Sequence, residues 1–129
     1  MNVPGNLKYT ESNEWINLEG KTGTIGISDY AQDQLSDIVF AEVIVNEGDT
    51  IKKGDTIATV ESVKAAADVY APASGKVVGV NEGLGSSPEV INSDPYGSAW
   101  IIKLELNNPA ELEALLDAAA YNKFIQDQK

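Results

Sequence analysis

One lysine stands out by its setting. Lys64 lies between two short apolar runs, Thr56-Ile57-Ala58-Thr59-Val60 and Asp68-Val69-Tyr70-Ala71, and three alanines follow it directly. If Lys64-Ala65 forms a two-residue hairpin loop, Val60 faces Val69, Ala58 faces Ala71, Val63 faces Ala66 and Thr59 faces Tyr70. That register sets apolar against apolar at most positions. It also breaks two local rules. Lys-Ala is poor chemistry for a tight hairpin turn, which usually takes Asn-Gly or a glycine. Glu61 falls opposite Asp68, a like-charge pair that weakens a ladder. Positions where local rules fail are enriched in function. The predicted picture is an amine at a hairpin tip, kept reachable by small neighbours and flanked by two carboxylates. Such a carboxylate pair could suit a retaining glycosidase, but a hairpin tip offers a sugar no walled cleft. The plain alternative is a solvated surface lysine with its acids pointing into water.

The composition narrows the chemistry further. The 129 residues include no cysteine and no histidine. Disulfides, thiolate catalysis, thiolate metal sites and imidazole bases are therefore excluded. No metal site and no catalytic residue is assigned, and the composition leans toward a binding or carrier module rather than an enzyme. Nine Lys plus Arg against twenty Asp plus Glu give a formal charge of −11. This opposes binding to nucleic acid, whose affinity rests on cationic contacts to phosphate, and to an anionic membrane surface. It favours solubility and partners that present positive charge. No run approaches the ~20 apolar residues that span a bilayer. Met1-Asn2-Val3-Pro4-Gly5-Asn6 has neither the basic region nor the apolar run of a signal peptide. The expectation is a cytoplasmic protein of bacterial type, with a mature organellar form as the alternative.

The elements that must position Lys64 are mostly strands. Apolar runs rich in Val and Ile recur between turn signals, as in a sandwich or barrel. Strands are predicted at Leu7–Tyr9, Glu14–Asn17, Gly23–Ile27, Ile38–Val45, Thr56–Ser62, Asp68–Ala71, Gly75–Val80 and Trp100–Leu106. Ser28 is positioned to cap a short helix over Asp29–Leu35. A C-terminal helical segment is predicted over about 109–126. Asn108 suits its N-cap, Pro109 its first position and Glu111 a capping box. Leu112, Leu115, Leu116 and Ala119 would share one apolar face, with a break near Ala118 and a restart through Tyr121, Phe124 and Ile125. Val45-Asn46-Glu47-Gly48 recurs as Val80-Asn81-Glu82-Gly83, which suggests two similar β halves about a pseudo-twofold axis. The length suits a single domain over 1–129.

The segment Val60-Glu61-Ser62-Val63-Lys64-Ala65-Ala66-Ala67-Asp68-Val69-Tyr70-Ala71-Pro72-Ala73-Ser74-Gly75 strongly resembles the lipoylation segment of the H proteins of the glycine cleavage system. The likeness extends to Leu7-Lys8-Tyr9, Glu14-Trp15, Gly26-Ile27-Ser28-Asp29-Tyr30-Ala31-Gln32, Val80-Asn81, Pro88-Glu89, Asn92-Ser93-Asp94-Pro95-Tyr96-Gly97, Trp100 and the acidic Leu-rich tail. It covers essentially the whole chain, in order. It implies a mainly β fold of the lipoyl/biotin-carrier type, a barrel-sandwich hybrid with short helices near 29–35 and at the C-terminus. Lys64 would carry (R)-lipoate in amide linkage. The arm would accept an aminomethyl group as a pyridoxal-phosphate glycine decarboxylase releases CO2. It would pass the methylene to a tetrahydrofolate-dependent aminomethyltransferase and be reoxidised by dihydrolipoyl dehydrogenase. The resemblance also implies a lipoate-attaching enzyme that recognises Glu61, and a cleft at Glu14 and Asp68 that shelters the loaded arm. Trp15, beside Glu14, is expected to form an apolar wall for the arm. Two departures stand out: Asn13 and Gln34 occupy places where the family often has histidine.

Rivals of the same fold fit less well. Biotin carriers set Met on both sides of the lysine, whereas Val63 and Ala65 flank Lys64. Acyltransferase lipoyl domains of 2-oxoacid dehydrogenases prefer Asp before the lysine and come with linkers. A lipoate-relay carrier that donates lipoyl groups to other enzymes is the alternative function.

Overall fold

The computed structural model describes residues 2–128. Among the described residues nine strands form two antiparallel sheets. Lys8–Tyr9 (β1), Glu14–Glu19 (β2), Thr22–Ile27 (β3), Thr50–Ile51 (β5), Gly75–Val80 (β8) and Ile102–Leu106 (β9) make the larger one, in the order β1-β2-β3-β9-β8-β5. Ile38–Val43 (β4), Thr56–Ser62 (β6) and Ala66–Tyr70 (β7) make the smaller one, in the order β4-β6-β7. Alternation along the strands turns one face of each sheet inward. Ile16, Ile25, Ile102 and Leu104 from the large sheet meet Ala41, Ile57, Val60 and Val69 from the small one in a single buried cluster. This is the expected mainly β sandwich. β5 is the one strand missed, because Thr-Ile at 50–51 is too short to show a period.

Two tight turns shape the small sheet's connections. Asn46–Asp49 and Lys52–Asp55 close with Asp49 N donating to Asn46 O (3.1 Å) and Asp55 N to Lys52 O (2.9 Å). Gly48 and Gly54 both take φ +94°, a value that suits glycine. Their N–H groups donate to Val77 O and Ala71 O, each at 2.8 Å. The local repeat is therefore Gly48-Asp49-Thr50-Ile51 and Gly54-Asp55-Thr56-Ile57. The repeat expected at Val80–Gly83 has a different backbone, since Glu82–Gly85 winds into a 3-10 turn.

The helix Asp29–Leu35 (α1) starts as predicted: Ser28 Oγ accepts from Ala31 N at 3.1 Å. A one-turn helix at Val90–Ser93 (α2) follows later. The C-terminal segment differs from expectation. Pro109–Ala114 is a 3-10 turn, and the Asn108 side chain makes no cap bond. Glu111 closes no capping box, because its carboxylate accepts from Ser74 N (2.8 Å) and Ser74 Oγ (2.9 Å). Leu116 is extended, since its N–H and C=O both pair with Tyr9 of β1 at 2.8 Å. That pairing removes the helix at Leu115–Leu116. A new helix, Ala118–Asp127 (α3), starts at Asp117, whose Oδ1 accepts from Ala120 N at 2.8 Å. Ala119 is exposed rather than part of an apolar face. α3 instead buries Tyr121 and Ile125 against Leu7, Tyr9, Trp15 and Tyr30, a second and smaller core.

Candidate functional site

Lys64 sits at the tip of the β6–β7 hairpin, exposed, between exposed Val63 and exposed Ala65 and Ala66. The turn is shifted by one residue from the predicted one. Glu61 pairs with Ala66, Val60 with Ala67, Thr59 with Asp68 and Ala58 with Val69, so Val63-Lys64 occupies the corner. The like-charge pair of Glu61 with Asp68 is not formed. The cause is Ser62. Its Oγ accepts from Lys64 N (3.2 Å) and Ala65 N (3.0 Å), and it donates to Ala65 O (3.1 Å). Ser62 N also donates to Ala65 O at 2.7 Å. A serine hydroxyl that satisfies backbone donors two and three residues on stabilises a turn without glycine. Val63 N donates to Asp37 O at 3.0 Å, which ties the corner to the start of β4. The Lys64 backbone is thus held while its side chain stands in solvent.

Glu61 and Asp68 are both exposed. Glu61 is flanked by Phe40 on β4 and Ala66 on β7, next to the tip. Asp68 Oδ1 accepts from Thr59 Oγ1 at 3.3 Å. Glu14 differs sharply from both: it is 1% exposed. Its Oε1 accepts from Thr10 Oγ1 and Ser12 Oγ, each at 2.6 Å. Its Oε2 accepts from Tyr70 N at 3.3 Å, the long end of the range. One oxygen is therefore saturated and the other keeps capacity for a further donor.

A cleft of about 170 Å³ opens between the ends of the sheets and α1. Glu14 and Asp68 both line it, and so do Asn13 and Gln34, the two departures from the family pattern. Its other walls include Ile27, Leu35, Val60 and Val69, which give it an apolar interior. The cleft begins about three to five strand residues from Lys64, or on the order of 10–16 Å at ~3.3 Å per residue. Trp15 is not one of its walls. It points to the other face of β2, into the second core, where its Nε1 donates to Ile27 O (3.0 Å) and Pro95 O (3.1 Å). Sequence reasoning missed Thr10 and Ser12, the hydroxyls that fix Glu14. The signal was there in Thr10-Glu11-Ser12-Asn13-Glu14, a run of short polar side chains before a strand. Among the described residues no group of acids suits a metal ion.

A two-sheet sandwich with an exposed lysine at a fixed hairpin corner is the architecture of the lipoyl/biotin-carrier type. The comparisons with known proteins are specific within that class. The family model described as "Glycine cleavage H-protein" matches residues 7–128, and the chain belongs to that family. It is 56% identical over 126 residues to the glycine cleavage system H protein of Symbiobacterium thermophilum, covering 98% of each chain. It is 51% identical over 121 residues to that of Thermotoga maritima, covering 94% of this chain and 97% of that one. Its structure resembles the crystal structure of a glycine cleavage system H protein from Mycobacterium marinum, with a TM-score of 0.85 and 32% identity. That match covers 98% of this chain and 100% of the other.

Proposed function

We propose that this chain carries (R)-lipoate in amide linkage on Lys64 and acts as the aminomethyl carrier of glycine cleavage. It serves in turn a glycine decarboxylase, an aminomethyltransferase and dihydrolipoyl dehydrogenase, and it catalyses no step itself. Residues 1–129 work as one carrier unit, the C-terminal segment of about 109–126 included. The observation that carries this reading is Lys64 itself: an exposed amine on a backbone corner that Ser62 holds in place, in a chain of the H-protein family.

The residues present suit such a group. Small Ala65 and Ala66 leave the amine open to an attaching enzyme, and exposed Glu61 beside the tip gives that enzyme a charged mark to read. When bound, the lipoyl group supplies the sulfur chemistry that accepts a one-carbon amine, which a chain without cysteine cannot supply itself. The chain's own task is shelter. The apolar walls of the cleft exclude water from an alkyl arm. Glu14 and Asp68 set negative charge at the cleft where a cationic amine would lie. Glu14, anchored by Thr10 and Ser12, is the buried partner, and Asp68 is the exposed one. The bacterial relatives support a cytoplasmic setting, and among the described residues no helix is long and apolar enough to cross a membrane.

Lys64→Arg tests the reading. Arginine keeps the exposed charge, so stability should stay within about ±0.5 kcal/mol, while decarboxylase-supported exchange of glycine carboxyl with bicarbonate should vanish. Full exchange activity in a folded Lys64→Arg variant would overturn the assignment.

A further inference from the structure

The C-terminal helix reaches the cleft through one buried hydroxyl. Tyr121 on α3 is 0% exposed and stacks flat on Tyr9, with ring centroids 4.5 Å apart and planes within 2°. Its phenolic oxygen lies 2.6 Å from Ser28 Oγ and donates to Asn13 Oδ1 at 2.8 Å. A phenol has one proton, so the Ser28 hydroxyl must donate to Tyr121 while its oxygen accepts from Ala31 N. The result is a directed chain: Ala31 N to Ser28, Ser28 to Tyr121, Tyr121 to Asn13.

Both ends of that chain belong to the cleft. Ser28 caps α1, which lends Ala31, Gln34 and Leu35 to one wall. Asn13 is the rim residue before Glu14, and it takes φ +74°, a left-handed conformation that asparagine tolerates better than most residues. Ser28 N donates to Asn13 O at 2.9 Å, so the same two residues are also joined through their backbones. Burial raises the Tyr121 phenol well above its usual range, so it remains a neutral donor at physiological pH.

We propose that Tyr121 is a positioning residue for the arm cleft: its hydroxyl locks the Asn13 rim to the α1 wall, and so sets how long a loaded arm stays sheltered. This rests on the reading of the cleft as the arm's shelter. α3 is then more than a lid over the second core, because it holds the register between the two walls that grip the arm.

Tyr121→Phe removes the hydroxyl and keeps the ring stack. Phe124→Leu, at a half-buried ring 6.4 Å from Tyr121, serves as a control that perturbs the same helix without touching the hydrogen-bonded chain. Each lipoylated protein is charged with the decarboxylase and glycine, separated from that enzyme, and followed by mass for loss of the one-carbon amine. Backbone amide shifts of Asn13, Gln34 and Leu35 are recorded before and after charging. Tyr121→Phe loses two hydrogen bonds, to Ser28 and to Asn13, and should lose its load at least about three- to tenfold faster than wild type. Its three amide shifts should shrink on charging, and Phe124→Leu should match wild type in both readouts. Equal lifetimes and shifts in wild type and Tyr121→Phe overturn the role of Tyr121 and leave the cleft reading standing. A wild-type load lost as fast as from a denatured lipoyl carrier, with no shift at the three amides, overturns the cleft reading and the proposal with it.

Discussion

Ser62 decides where Lys64 stands. Its hydroxyl satisfies the N–H groups of Lys64 and Ala65, which no ladder partner reaches. Removing it as Ser62→Ala leaves those donors to water, and the hairpin should lose about 0.5–1.5 kcal/mol. Chemical denaturation should show that loss, and the attaching enzyme should modify Lys64 more slowly because the corner is less fixed. Unchanged stability and unchanged modification would show that the backbone alone sets the turn. Glu14 makes a second residue-scale claim. Glu14→Gln keeps shape but gives up one acceptor oxygen and the negative charge. Lipoylation should be intact, while the loaded carrier should lose its one-carbon amine several-fold faster, as expected when a charge-assisted contact is replaced by a neutral one. Equal decay rates followed by mass would remove Glu14 from the shelter.

At the scale of elements, α3 depends on Asp117 for its start. Asp117→Ala removes the bond to Ala120 N and should cost about 1 kcal/mol, seen as a lower melting temperature. Gly75 supports the large sheet differently. A Cβ there would lie 2.1 Å from Glu105 O, a backbone atom that cannot step aside. Gly75→Ala should therefore cost more than about 2 kcal/mol, and a melting temperature equal to wild type would contradict the β8–β9 register. The sequence made the long strands legible because Thr56–Ser62 and Gly75–Val80 are short runs rich in Val and Ile between turn signals, and α1 was legible because Ser28 and Asp29 mark its start. The C-terminal helix was misplaced for a tertiary reason. Asn108-Pro109 carries real cap chemistry, yet Glu111 is drawn to Ser74 and Leu116 to Tyr9, contacts remote in sequence. The hairpin corner was placed one residue late, which shifted the pairing by two residues, because glycine was sought at the corner and the serine's hydroxyl was overlooked. Lys64, Glu61 and Asp68 stood out as candidates in the hairpin reading, and Glu14 through the family resemblance. The Tyr121 link to Asn13 was not, since it joins residues 108 apart.

The whole molecule carries a charge of −11 that should steer it toward positively charged docking faces. Association rates with the partner enzymes should fall as salt rises, because screening shortens the reach of exposed charges to about 8 Å at physiological ionic strength. A flat stopped-flow salt titration would confine the acidic balance to solubility. The buried tyrosines set a second global property. Burial raises Tyr9 and Tyr121 well above the usual phenol range and pushes Tyr96 up to about 12. A raised folded pKa means the native state favours the neutral phenol. That stability is fully present below pH 10 and is lost as pH climbs through the folded values. Unfolding should therefore set in above about pH 10, together with tyrosinate absorbance, while pH 7 to 9 changes little. Tyrosinate from Tyr9, Tyr96 and Tyr121 appearing near pH 10 in the folded protein would contradict the packing around them. The central claim remains that one amine of this chain bears the cofactor. Peptide mapping by mass of the protein purified from lipoate-supplied cells tests it most directly. A lipoyl increment on the peptide containing Lys64, and on no peptide containing Lys52, Lys53 or Lys76 alone, is the expected result. An increment on one of those lysines with Lys64 unmodified would contradict it.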